Sequence, residues 1–151
     1  MTIRRARADE GERLREIARV SKGHWDYDRD FVDAWAARLD MSPEAVSGNE
    51  IYVGEIDGEI VSWSALTTKN GVWWLDDLWV IPDWIGKGIG TRMFEHIVEL
   101  ARERGGPSQM EWQAEPNSVG FYEKLGARYV RDSEPTSWGR VLPVMSIDLA
   151  R

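Results

Sequence analysis

Two adjacent carboxylates, Asp76 and Asp77, lie inside the otherwise apolar run Val72-Trp-Trp-Leu-Asp-Asp-Leu-Trp-Val-Ile81. An idle carboxylate in a buried strand is costly, so each needs a partner, a water or a task. Taking a proton from a reacting group is one such task, and bonding loop amides is another that either residue could perform. In an extended chain Asp76 shares a face with Trp74, Leu78 and Val80, while Asp77 points the other way. Just downstream, Val80-Ile-Pro-Asp-Trp-Ile-Gly-Lys-Gly-Ile-Gly-Thr91 places glycines at 86, 88 and 90 where a long helix begins. Glycines there permit a tight turn and leave amide N–H groups uncovered beside the helix's own orphan donors and positive dipole end. That is an anion site suited to a pyrophosphate, with Lys87 and Arg92 adding local positive charge. The glycine spacing matches neither the dinucleotide fingerprint nor a P-loop.

The elements that must position these groups follow from periodicity. Thr2–Arg7 reads as a first strand. A helix from Asp9 to about Val20 carries Leu14, Ile17, Ala18 and Val20 on its apolar side. Irregular chain at Ser21–Asp28 precedes a second helix, about Arg29–Asp40, with Phe31, Val32, Trp35 and Leu39 near helical spacing. Ser42-Pro43-Glu44 opens one more short turn of helix. Ile51–Ile56 and Glu59–Leu66 flank the hairpin signal Asp57-Gly58, and Asn70-Gly71 leads into Val72–Ile81. That third strand is apolar on both faces, which places it centrally, and Pro82 ends it. Gly90–Arg104 is a helix with Ile89, Met93, Ile97, Leu100 and Ala101 on its buried stripe, stopped by Gly105-Gly106. Gln109–Ala114 is a strand, Pro116 starts a helix ending at Leu125-Gly126, and Ala127–Arg131 and Val141–Leu149 close the chain as strands. The order β-α-α-β-β-β-α-β-α-β-β predicts a single α/β domain over residues 1–151.

Composition narrows the chemistry further. The 151 residues suffice for one core without cross-links. The absence of cysteine excludes a disulfide framework, a thiolate nucleophile and a cysteine zinc site. Two histidines, His24 and His96, suggest no metal centre. A net charge of −7 disfavours nucleic acid and anionic membranes as partners. With no apolar run long enough to span a bilayer and no signal-peptide core, the expected compartment is the cytoplasm. Nine tryptophans are unusual for this length; most are expected in the core and several to line a pocket that is part apolar and part wet.

Hydrophobic-x-Val-x-Pro followed by Gly-Lys-Gly-Ile-Gly-Thr91 and a long amphipathic helix resembles the coenzyme A-binding motif of the GNAT superfamily of N-acyltransferases. Glu115-Pro-Asn-Ser-Val-Gly-Phe-Tyr-Glu-Lys-Leu-Gly-Ala127 resembles that superfamily's second motif, roughly 30 residues further on. The resemblance spans about residues 72–130. It implies a three-layer sandwich whose mixed, mostly antiparallel sheet of about seven strands has a splayed fourth strand and flanking helices. It also implies an acetyl-coenzyme A-dependent N-acetyltransferase working by direct transfer, with no metal. Leu78, Trp79 and Val80 would hold the pantetheine arm like an added strand, one amide polarising the thioester carbonyl. Ile85, Gly86, Lys87, Gly88, Ile89, Gly90 and Thr91 would take the phosphates. Two positions depart from the pattern: Ile85 replaces the usual Gln or Arg, and Glu115 replaces an asparagine whose contact Asn117 would have to supply.

An alkyl amine with a pKa near ~10.4 is almost wholly protonated at neutral pH, so transfer to it needs a base. Leu75–Val80 also resembles the corresponding strand of polyamine N-acetyltransferases, which carries a glutamate where Asp76 stands, and Asp76 is the base we expect. Tyr122, in the helix of the second motif, would reprotonate the departing thiolate and contact the cofactor; packing on Phe121 and Leu125 is the alternative. The resemblance assigns acceptor choice to the first two helices and the C-terminal hairpin, where His24, Trp25, Tyr27 and Arg140 are expected to border the pocket. The alternative is that His24 and Trp25 pack the helix corner and Arg140 pairs with a surface acid. The expected acceptor is a primary amine of a small molecule. Arg140 would suit an acceptor carboxylate and the acidic net charge a polyamine or aminoglycoside. A peptide or protein acetyltransferase and a non-catalytic acetyl-coenzyme A sensor are the rival readings. A homodimer is compatible with the resemblance.

Overall fold

Asp57-Gly58 and Asn70-Gly71 all take positive φ (50°, 81°, 53° and 78°), the geometry of tight hairpin turns whose twist matches that of the strands. A computed structural model describes residues 1–150. Its strands are β1 (Thr2–Arg5), β2 (Glu50–Ile56), β3 (Glu59–Lys69), β4 (Val72–Val80), β5 (Gln109–Gln113), β6 (Arg128–Asp132) and β7 (Pro143–Asp148). The helices are α1 (Gly11–Gly23), α2 (Arg29–Ala37), α3 (Pro43–Gly48), α4 (Ile89–Arg104) and α5 (Val119–Lys124). The seven strands form one sheet in the order β1-β2-β3-β4-β5-β7-β6, with helices flanking it. The β4–β5 pair is parallel, whereas β1–β2, β2–β3, β5–β7 and β6–β7 are antiparallel. The sheet is therefore mixed, as expected.

The described residues divide into two compact units, Met1–Leu66 with Asp77–Ile97, and Thr67–Asp76 with the chain from Val98 onward. In the first, Leu14, Ile17 and Ala18 of α1 and Val46 of α3 pack with Ile51, Val53, Ile60, Trp63 and Ala65. A second cluster joins Val61 to Ile89 and Met93 of α4. The register explains how Val61 and Trp63, two residues apart on one strand, reach different clusters. Ser62 pairs with Gly54 and Ile60 with Glu55, so Val61 is the extra residue of a bulge. Trp63 is fully buried, and its Nε1 donates to the Leu14 carbonyl at 2.8 Å, fixing α1 on the strand. In the second unit Met110, Trp112, Val144 and Met145 are buried on the paired strands β5 and β7.

The C-terminal ends of α1 and α2 differ from expectation, each for a tertiary reason. α1 continues three residues past Val20 to Gly23, because Ser21 and Lys22 are buried and find partners outside the helix. α2 stops at Ala37 rather than Asp40, where Arg15 Nη1 donates to the carbonyls of Ala36 (2.7 Å) and Ala37 (3.2 Å). Those are carbonyls that a helix end leaves without an internal donor. The first strand likewise ends at Arg5, since the Arg7 amide donates to Glu10 Oε1 at 2.7 Å and opens a 3-10 turn. Among the described residues no helix is long and apolar enough to cross a membrane.

Candidate functional site

Near the end of β4, the Ile81 amide donates to the Val61 carbonyl at 3.0 Å, turning that residue's backbone toward β3. Alternation then turns the backbone groups of Leu78 and Val80 to the opposite edge. The Val80 carbonyl accepts a hydrogen bond from Ser21 Oγ of α1 at 2.9 Å. Ser62 Oγ donates to the neighbouring Trp79 carbonyl at 2.6 Å. Toward the start of the strand, the parallel ladder to β5 takes in Trp73 and Trp74.

Beyond β4 a 3-10 turn at Pro82–Trp84 closes with the Ile85 amide on the Pro82 carbonyl at 3.1 Å. Gly86 and Gly88 follow at φ 80° and 82°, which L side chains rarely adopt. A β-carbon built on either meets no atom within 4 Å, so the space over the loop is open. The Arg92 amide bonds the Gly88 carbonyl at 3.1 Å. The amides of Ile89, Gly90 and Thr91 therefore precede the helix's first internal partners. Residues Ile85, Gly86, Lys87 and Gly88 are exposed, and Lys87 Nζ stands 4.9 Å from the Trp84 ring centre. Open space, orphan amides and a lysine fit a pyrophosphate.

The α1–α2 connection builds an aromatic cluster around a buried ammonium. Lys22 is 3% exposed. Its Nζ lies 4.6 Å from the ring centre of Trp35, 4.9 Å from Tyr27, 5.7 Å from Phe31 and 5.9 Å from Trp79. Such distances are within cation–π range. Trp79 Nε1 also donates to Asp77 Oδ1 at 3.0 Å, placing a carboxylate on the same wall. Of the residues expected at an acceptor pocket, Tyr27 lies in this cluster, whereas His24 and Trp25 stack edge-on against each other at 5.0 Å. Phe31 and Trp35, expected only as apolar positions of the second helix, and Lys22 join Tyr27 there. The usable signal was the aromatic series 27, 31 and 35, one residue per helical turn, following a lysine at the end of a helix.

The remaining candidates belong to the second unit. Asp76 is exposed along its strand, yet desolvation raises its pKa above the ordinary carboxylate value, opposed by the charge of Lys69. Tyr122 of α5 is buried, its ring 4.9 Å from that of Trp112 and 5.0 Å from Phe121. Asn117 is exposed in the Pro116–Ser118 turn. Arg140 forks onto Glu115, Nη1 to Oε1 at 3.4 Å and Nη2 to Oε2 at 3.3 Å. Its partner is thus an acid of this chain, at the position where the asparagine was expected. Among the described residues no group of three His, Cys, Asp or Glu side chains could hold a metal.

The model of the acetyltransferase (GNAT) family matches residues 12–127, which include β4, the glycine loop and α5. The chain belongs to that family, and it is an acetyl-coenzyme A-dependent N-acetyltransferase. It is 32% identical over 154 residues to the peptidyl-lysine N-acetyltransferase YjaB of Salmonella typhimurium, covering 97% of each chain. Its fold is similar to a GCN5-related N-acetyltransferase from Rhodopseudomonas palustris, with a TM-score of 0.82 at 22% identity, covering 97% of this chain and 94% of that one. It is also similar to the PaiA N-acetyltransferase from Thermoplasma acidophilum in complex with coenzyme A, with a TM-score of 0.77 at 21% identity, covering 97% and 98%.

Proposed function

We propose that this enzyme acetylates the side-chain amine of a lysine within a peptide or protein, both units acting as one domain. The observation that carries the acceptor class is the 32% likeness to a peptidyl-lysine acetyltransferase along nearly the whole of both chains. An acidic protein with an aromatic wall suits a cationic alkyl acceptor. A small-molecule primary amine is the second reading, favoured by the enclosed aromatic character of Tyr27, Phe31 and Trp35. Acetyl-coenzyme A supplies the activated acetyl group. Gly86–Thr91 would bind its phosphates, and the edge of β4 at Leu78 and Val80 would align its arm and polarise the thioester carbonyl. Asp76 would receive the amine's proton, and Tyr122 would return one to the departing thiolate.

A panel of lysine peptides and free amines, read by thiol release from acetyl-coenzyme A, tests the acceptor. Peptide acetylation with free amines at least tenfold poorer in kcat/KM supports the first reading; the reverse order supports the second. The phosphate loop is tested by Gly88→Glu. A side chain at φ 82° is strained and a carboxylate there repels phosphate, so affinity by calorimetry should fall at least about tenfold with the fold retained. Unchanged affinity would place the phosphates elsewhere.

A further inference from the structure

We propose that Tyr27, Phe31, Trp35 and Trp79 form an alkylammonium-binding cage on the Asp77 face of β4 that captures the acceptor's charged side chain before it is released for deprotonation and transfer, and that Lys22 is a tethered resident of that cage which the acceptor displaces. The proposal rests on the lysine-acceptor reading above. Burying a lysine to 3% exposure is costly unless its charge is stabilised. Here four ring centres stand within 6 Å of Nζ, contributed by α2, by Tyr27 two residues ahead of it and by β4. Ring faces turned on an ammonium recognise it by charge and polarisability, whichever chain carries it. Trp79 brings Asp77 to the same wall through its 3.0 Å hydrogen bond, and a carboxylate strengthens the preference for a cation.

The cage also lies beside the strand expected to carry the donor. Trp79 belongs to β4, and the residue before the resident, Ser21, bonds the Val80 carbonyl. Lys22 can leave without unfolding its helix. It sits one residue from the end of α1, followed by exposed Gly23 and His24, and its four-carbon stem can swing outward. A tethered cation competes at a high effective concentration, so it sets a threshold that an acceptor lysine must exceed.

Lys22→Ala and Lys22→Gln both remove the resident charge, and Gln keeps the stem for a fold that needs it. Tryptophan emission, titrated with n-butylammonium chloride and with uncharged 1-pentanol, reads the cage without any acetyl transfer. Both variants should bind butylammonium roughly tenfold more tightly than wild type, whereas pentanol should show no such gain. Trp35→Leu added to either variant should abolish that gain, and Lys22→Arg should behave as wild type. Folded variants that show no butylammonium-specific binding would overturn the cage. With a lysine peptide, removing the resident should lower the acceptor KM roughly tenfold with little change in kcat. Butylammonium binding with an unchanged peptide KM would overturn the acceptor role. A wild type that acetylates no amine would defeat the parent reading, while the emission titration would still decide the cage.

Discussion

Tyr122→Phe is expected to slow acetyl transfer by roughly 10²–10⁴ while affinity for acetyl-coenzyme A barely changes. The substitution removes a hydroxyl and nothing else. The ring stays buried between Trp112 and Phe121, whose centres stand 4.9 Å and 5.0 Å away, so the fold should persist. A thiol's pKa near ~8.5 lies below a phenol's at ~10, so the transfer of a proton to the thiolate is brief and needs a donor already in place. Single-turnover rates with Tyr122→Phe, beside calorimetry of cofactor binding, separate the chemical step from binding. A variant working at full rate would make Tyr122 a core residue only.

Asp76→Asn is expected to lower kcat by roughly 10²-fold near neutral pH and to recover much of the loss at alkaline pH, where free amine is abundant. The carboxylate works as a base only when ionised, so the wild-type rate should rise with pH through its pKa. Desolvation moves that rise above the ordinary carboxylate range, with Lys69 pulling the other way. The same shift fixes the stability sign. A raised folded-state pKa means that the folded protein prefers the protonated acid; the stability this gives is complete below the unfolded pKa and is lost as pH rises through the folded one. Asp76→Asn should therefore be at least as thermostable as wild type at pH 7, its advantage vanishing in acid. Asp77→Asn should leave the pH–rate profile in place, since Asp77 is bonded to Trp79. Identical behaviour of the two variants would make both carboxylates structural.

The parts of this fold legible in the sequence were those set by local chemistry. The two glycine turns, the stop at Pro82, the long helix after the glycine loop and the succession of strands and helices along the chain all follow from backbone preference or hydrophobic period. The shape of the glycine loop was legible for the same reason: open space over two positive-φ glycines at a helix start is written in consecutive residues. The α1–α2 connection was not. Ser21 and Lys22 continue α1 because a strand carbonyl and four rings hold them, and those partners lie between 5 and 59 residues away in sequence. Reading Ser21–Asp28 as irregular hid a lysine that no periodicity argument would bury. For Arg140 the alternative of a paired acid was legible but its identity was not, since Glu115 stands 25 residues away in sequence.

The Ser21 hydroxyl also sets where chimaeras of this enzyme should be joined. It couples the last turn of α1 to the closing carbonyl of β4, so the segment leading into α2 is registered on the sheet before it departs. A transplant that begins at Val20 exchanges that registering hydroxyl together with the segment. One that begins after Gly23, at the exposed Gly23–His24 junction, replaces the connection and leaves the strand's anchor as it was.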